Sequence, residues 1–213
     1  MKYGFILVEG ETEMGFVNEV LQPHLQSHGL FVTPQNLGGS IDYQNVHKDL
    51  RRLLKNSHIV LVSTMIDFYR FPRGFPGSKT IPQNQPVLAQ VEHLEKAFAD
   101  NIADARFVPY LSLHEFEGLL FSQIEAIVAE FPDANQTKAL ENLREVTSKF
   151  LSPEEINDGY ATVPSRRLLE VFPSYYKPLN SPKIAARIGL AHIRKACQHF
   201  NTWLNTLESL AQS

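Results

Sequence analysis

Apolar and polar positions follow one rhythm up to about residue 113 and another beyond it. Tyr3 to Val8 is a short unbroken apolar run ended by acids, the pattern of a strand buried on both faces of a parallel sheet. Thr12 to Ser27 follows at helical spacing, with Phe16, Val17, Val20, Leu21 and Leu25 on one face and Pro23 disturbing the last turn. Leu30 to Leu37 predicts a second strand, closed by the loop signal Gly38-Gly39-Ser40. Helical spacing returns from Tyr43 to Leu54 through Val46, Leu50, Leu53 and Leu54, and His58 to Ser63 predicts a third strand. From Asp67 to Pro86 the chain loses its period, because Pro72, Gly74, Pro76, Gly77, Pro82 and Pro86 all fall there. Such a loop inside a compact domain usually serves function or mobility. Val87 to Ile102 predicts a helix with Val91, Leu94 and Phe98 inward, and Arg106 to Leu113 a fourth strand.

This order predicts an α/β fold: a three-layer core with a mostly parallel sheet and right-handed crossovers, over residues 1–122. Short helical segments follow at His114 to Phe121, Gln123 to Phe131, Asn135 to Phe150, Pro153 to Asn157, Ser165 to Phe172, Pro182 to Gly189 and Leu190 to Leu210. Residues 123–213 therefore read as a helical extension packed on the core, without repeats or low-complexity tracts.

Length and composition narrow the class. A chain of 213 residues with 43% hydrophobic content can bury a full core. Its formal net charge of −3 and pI near 6.2 exclude the global basic field of a dedicated nucleic-acid binder, so any such contact must be local, metal-mediated or shared with a partner. The single cysteine, Cys197, rules out an internal disulfide and a cysteine zinc site. No apolar run approaches the ~20 residues needed to cross a bilayer, and the first run is too short for a signal peptide. A soluble cytoplasmic protein is expected.

The candidate chemistry is acidic. Glu9-Gly10-Glu11-Thr12-Glu13 sits where the first strand turns into a helix, and Asp67 ends Thr64-Met65-Ile66-Asp67 beyond the third. Glu115 and Glu117 follow the fourth strand in His114-Glu115-Phe116-Glu117, sharing one side if the segment stays extended. Glu9, Glu13, Asp67, Glu115 and Glu117 thus come from three strand ends to the rim where open α/β sheets bind ligands. Oxygen-only ligands of this kind select Mg²⁺ or Mn²⁺, ions suited to phosphodiester hydrolysis. The plainer reading is helix capping, with Thr12 or Glu11 at an N-cap and Glu115 and Glu117 in a first helical turn. Gly10 between strand and helix could let a phosphate approach the helix N-terminus, but no GxGxxG or Walker pattern accompanies it.

Basic groups are sparse and local. The loop Phe68 to Lys79 interleaves aromatics with Arg70, Arg73 and Lys79, which suits either a nucleic-acid-facing lip or an Ω-loop whose aromatics fill the core. Pro164-Ser165-Arg166-Arg167 opens a helix, and Lys177 and Lys183 lie in a proline-rich stretch; both read as phosphate contacts or, more simply, as solvated helix starts and turns. The eight histidines show no HExxH or paired metal spacing, with His192 and His199 read as packing or surface groups, and Ser63 and Ser165 lack a nucleophile elbow.

Val8-Glu9-Gly10-Glu11-Thr12-Glu13, Thr64-Met65-Ile66-Asp67-Phe68-Tyr69 and Leu113-His114-Glu115-Phe116-Glu117-Gly118-Leu119-Leu120-Phe121 together resemble an uncharacterised bacterial family assigned a Toprim-like fold. The resemblance continues through Ile156-Asn157-Asp158-Gly159, Pro164-Ser165-Arg166-Arg167-Leu168 and Lys183-Ile184-Ala185. Toprim domains, including those of OLD-type nucleases, carry a glutamate after the first strand and an Asp-x-Asp after the third, with Mg²⁺ between them. The resemblance assigns Glu9 and Asp67 to those places and Glu13 to an additional acid of OLD-type sites, while Tyr69 stands where the second aspartate would be. It also implies a role in phage defence beside an ABC-type or AAA-type ATPase, which would be a separate chain because no ATPase motif occurs here.

The expected function is Mg²⁺-dependent or Mn²⁺-dependent phosphodiester cleavage in DNA or RNA. Glu9 and Asp67 would be catalytic; Glu9, Glu13, Asp67, Glu117 and Glu115 would hold metal; Arg70, Arg73, Lys79, Arg166 and Lys183 would contact phosphate. Two other readings stay open: a non-catalytic sensor subunit that binds an ATPase partner, and phosphatase-like action on a small phosphorylated molecule.

Overall fold

The computed structural model describes residues 2–39, 41–69, 71–157 and 159–212, apart from the side chain of Tyr160. Strands β1 (Lys2–Val8), β2 (Leu30–Asn36), β3 (Ile59–Asp67), β4 (Phe107–Val108) and β5 (Leu111–Ser112) form one parallel sheet. Its order is β2-β1-β3-β4, with β5 pairing β3 further along. Between β1 and β3 the backbones come close: a Cβ on Gly4 would lie 3.0 Å from the Leu61 carbonyl oxygen.

Alternation along β1 sorts its side chains between two layers. Ile6 and Val8 join a core with Phe16, Leu61, Met65, Ile184, Phe200 and Leu204, while Leu7 joins Leu50, Val62, Phe98 and Phe107 on the opposite face. The first layer holds α1 (Glu11–Phe16), a π-helical turn (Val17–Leu21) and α2 (Gln22–Ser27), which run on as one rod. The wide turn precedes Pro23, which has no N–H to bond the carbonyl four residues back. The other layer holds α3 (Tyr43–Leu54) and α4 (Val87–Ile102). Asp42 caps α3, its carboxylate accepting from the N–H groups of Gln44 at 2.9 Å and Asn45 at 3.2 Å.

The carboxyl-terminal half is helical, as its spacing predicts. It comprises α5 (Ile124–Ala129), α6 (Gln136–Thr147), α7 (Pro164–Val171), α8 (Lys177–Ile188), α9 (Leu190–Ala196) and α10 (Gln198–Gln212). Its apolar faces continue the β1 core without a break, since Leu143, Leu168, Ile184, Ile193 and Trp203 all belong to that cluster. Among the described residues no helix is long and apolar enough to cross a membrane.

Several elements differ from the sequence reading for local reasons. The fourth strand divides in two around Pro109, which cannot donate to a ladder, and the Thr64 hydroxyl makes up the loss by pairing with the Tyr110 backbone N–H and carbonyl at 3.0 and 3.1 Å. The third strand runs four residues beyond Ser63, because Thr64 and Met65 pair with β1 and Ile66 and Asp67 with β5. Helix α8 starts at Lys177, five residues early, with Pro178 in its first turn where a missing N–H costs nothing. In the loop after β3 Phe75 turns inward and is buried, with ring centroids 4.5 Å from Phe71 and 5.4 Å from Phe98.

Pro182, inside α8, fits against Gly15 of α1. A Cβ at Gly15 would stand 2.6 Å from Pro182 Cγ, a rigid ring atom with nowhere to move. Gly15→Val is therefore expected to destabilise by roughly 1–3 kcal/mol through overpacking. Thermal denaturation should show a drop of about 2–4 °C per kcal/mol; an unchanged melting temperature would mean that α1 and α8 are not interlocked here.

Candidate active site

Strand β1 delivers Glu9 to the sheet's carboxyl edge, and the neighbouring backbone fixes it there. The Glu9 N–H donates to the Met65 carbonyl at 3.2 Å, and its carbonyl accepts from Gly39 N–H at 2.9 Å. Its carboxylate oxygen Oε2 accepts from the Asp67 N–H at 3.1 Å, so the ends of β1 and β3 are bonded through a side chain. One turn on, Glu13 folds back to accept from the Gly10 N–H at 3.0 Å, as in half of a capping box. Glu11 faces solvent. The N-cap is Gly10, so neither Thr12 nor Glu11 caps this helix, and the bond back to the N-cap comes from Glu13 instead.

Asp67 closes β3 and reaches across to the chain beyond β5, where its Oδ1 accepts from the Phe116 N–H at 2.9 Å. That segment does not stay extended: Glu115 has extended backbone, and a 3₁₀ helix then runs over Phe116–Ser122. Both acids still turn toward the edge. Glu115 Oε2 accepts from the Ser165 N–H at 2.9 Å, at the first turn of α7. Glu117 is fully buried, its Oε1 accepting from the hydroxyls of Tyr175 and Ser181 at 3.2 Å each.

One cation answers these acids. The Lys177 ammonium, at the start of α8, lies 2.8 Å from Glu117 Oε2 and 3.8 Å from Asp67 Oδ2. No other donor among the described residues bonds that Glu117 oxygen. Glu9, Asp67, Glu115 and Lys177 line an open cavity of about 350 Å³ together with Gly39, Ile41, Tyr69 and Pro72. Glu13 and Glu117 sit deeper, at 3% and 0% exposure.

The electrostatics follow from five carboxyl groups facing one ammonium. Burial pushes the Glu13 carboxyl up to about 7, Glu117 and Glu9 add repulsion, and Lys177 opposes both. Burial likewise drives Asp67 well above the usual carboxylate range, helped by Glu13, Glu9 and Glu117. Glu9 is raised by burial and by Glu115 and Glu117, against the Asp67 N–H and Lys177. For Lys177 burial disfavours the charge, but Glu117, Asp67, Glu13 and Glu115 outweigh it and hold the ammonium protonated. Nearby His114 is pushed down to about 4 by burial and stays neutral. The donor set is all oxygen, the kind a hard divalent cation prefers, but among the described residues no three of these carboxylates bring ligand atoms within 4.8 Å of one another, and Lys177 already lies against Glu117 and Asp67.

The predicted basic contacts divide. Arg166 lines a depression that shares Lys177 with the cavity. Arg73 and Lys79 line a separate one around Phe75, and Lys183 is exposed further along α8. Arg70 lies outside the described residues. Lys177 itself was legible as a phosphate contact or a turn residue but not as the partner of the acids, although it is the sole charge between Glu170 and Lys183 and directly precedes a helix-starting proline. The histidine spacing likewise missed a group: His24 and His28 approach Glu208, though Arg194 already pairs with that carboxylate at 2.6 Å.

Fold and site define a parallel α/β protein with a buried carboxylate cluster at the carboxyl ends of its strands. Residues 8–208 match the family described as "Domain of unknown function (DUF4276)", and the chain belongs to that family. A comparison with curated proteins gives no match. Among solved structures, the chain is similar to the C-terminal region of the OLD protein of Xanthomonas campestris pv. campestris, at 17% identity over 95% of this chain and 96% of that one, with a TM-score of 0.45.

A carboxyl with a higher pKa in the folded than in the unfolded chain binds more protons when folded, so its contribution is most favourable at low pH and is lost as pH rises. For Glu13 the window runs from about 4.5 to about 7. In protein stripped of divalent ions, the melting temperature of Glu13→Gln relative to wild type should therefore climb across that window. A difference independent of pH would show that Glu13 is not held in this way.

Proposed function

We propose that this protein is a Mg²⁺-dependent or Mn²⁺-dependent phosphodiesterase that cleaves nucleic acid. The observation that carries the reading is that Glu9, Asp67 and Glu115, from three separate stretches of chain, line one cavity, with Glu13 and Glu117 buried near it and Lys177 as their only close counter-charge among the described residues. Burying acids together is costly unless a cation belongs among them. The motif resemblance to Toprim domains points the same way and extends the proposal to a phage-defence role beside a separate ATPase chain.

Each residue then has a task set by its position. Glu13, Asp67 and Glu117 would hold the ion, Glu115 adding an oxygen from the α7 side. A bound Mg²⁺ or Mn²⁺ would supply Lewis-acid polarisation of the phosphoryl oxygen. Glu9 lines the open cavity with one oxygen on the Asp67 N–H, which orients its carboxylate to take a proton from the attacking water; its raised pKa brings it closer to neutral pH, where a base works best. Lys177 lines the same cavity and would donate to a non-bridging phosphate oxygen as negative charge builds there.

Tyr69 in place of a second aspartate favours one rival, a sensor subunit that binds metal or a partner without cleaving. The test is direct. Glu9→Gln and Asp67→Asn are each expected to abolish Mg²⁺-dependent cleavage of DNA and RNA, with a melting temperature unchanged or raised in metal-free buffer. Lys177→Ala is expected to slow cleavage by roughly 10²–10³-fold, the usual loss for one charge-stabilising donor. Full activity in both carboxylate variants would overturn the assignment; a wild type that binds Mn²⁺ by calorimetry yet cleaves nothing would favour the sensor.

A further inference from the structure

Beside the carboxylate cavity lies a second depression of about 250 Å³, lined by Ser165, Arg166, Leu169, Tyr175 and Lys177. The two are continuous in their walls. Lys177 lines both, and Ser165 donates the backbone N–H that holds Glu115, a residue of the first. The chemistry differs sharply between them. The first offers carboxylates, whereas the second offers leucine, an aromatic ring and two cationic side chains.

Exposed apolar residues cluster along the sequence on either side of Lys177, and one of them, Leu169, lines this second depression. Five large hydrophobic residues are exposed among those described, and three of them, Leu169 at 50%, Tyr176 at 60% and Leu179 at 52%, fall within eleven positions flanking Lys177. An apolar face beside cations and an anionic reaction centre matches a base joined to its phosphate. It matches an unpaired base in particular, since a base within a duplex is stacked and paired and presents no face to a lateral seat. With a net charge of −3, the chain also lacks the broad basic surface that would hold a duplex by its phosphates alone.

We propose that the depression formed by Ser165, Arg166, Leu169, Tyr175 and Lys177 seats the nucleobase next to the scissile phosphate, so that the protein selects unpaired strands. The proposal rests on the phosphodiesterase reading for the neighbouring cavity. Leu169 and Tyr175 supply the apolar contact, Arg166 steadies the adjoining phosphate, and Lys177 marks the junction between base seat and reaction centre.

The experiment compares equilibrium binding of the full chain to fluorescent single-stranded DNA and RNA oligonucleotides with binding to blunt duplexes of the same sequences, with Ca²⁺ in place of Mg²⁺. Single strands are expected to bind about tenfold more tightly, a preference within reach of one base-stacking contact. Leu169→Asp and Leu169→Ala, both at one exposed lining position, should bring that ratio toward one at unchanged melting temperature. Equal or tighter duplex binding, no oligonucleotide binding, or an unaltered ratio in both variants would overturn the proposal. Hydrolysis of bis(p-nitrophenyl) phosphate with Mg²⁺, a diester without a base, reads the phosphodiesterase assignment separately, so the two can fail independently.

Discussion

Carboxyl groups of like charge, gathered and desolvated at one edge of a sheet, are the constraint to which the rest of this molecule answers. Taking an ion out of water costs several kcal/mol unless donors or opposite charge replace the lost hydration. Every acid of the cluster finds such a replacement, Glu13 locally from the Gly10 N–H and the other four from distant stretches of chain. Glu9 is bonded by the end of β3, Asp67 by the start of the 3₁₀ helix, Glu115 by the first turn of α7 and Glu117 by Tyr175 and Ser181 on either side of the start of α8. The cluster therefore works as a knot of long-range contacts as well as a concentration of charge.

Placement of the single compensating ammonium depends on helix packing. Lys177 begins α8, and α8 lies along α1, which carries Glu13. The glycine at position 15 and the ring of Pro182 set how closely those two helices approach. A proline inside a helix removes one hydrogen bond, and here its ring serves as the surface that fits the α1 groove. The parallel sheet supplies the other half of the geometry, because its strands all end on the same side.

Much of this was legible in the residues. Short apolar runs ended by acids located β1 and the end of β3, and the same acids named all five carboxylates that the structure brings together. What sequence could not supply was direction. Arg73 and Lys79 share a loop with Phe71 and Phe75, and spacing alone does not say that the phenylalanines turn into the core while the cations face away from the acids. Lys177 was hidden for the opposite reason: its role depends on Glu117 and Asp67, far away in the chain, and a lone lysine before a proline looks like an ordinary turn. The break of the fourth strand at Pro109 lay open to view, but its repair by the Thr64 hydroxyl is a tertiary matter.

Lys177 enters the chain 60 residues after Glu117, the last of the five acids. At ordinary ribosomal rates that interval is roughly 3–12 s. Throughout it the acidic half is already made and its balancing ammonium does not yet exist, so the nascent core must wait, hydrated and open at that edge, for a late helix to arrive. Completion of the carboxylate cluster is thereby tied to the synthesis of α8, and a product truncated before α8 would carry the acids without the lysine that neutralises them.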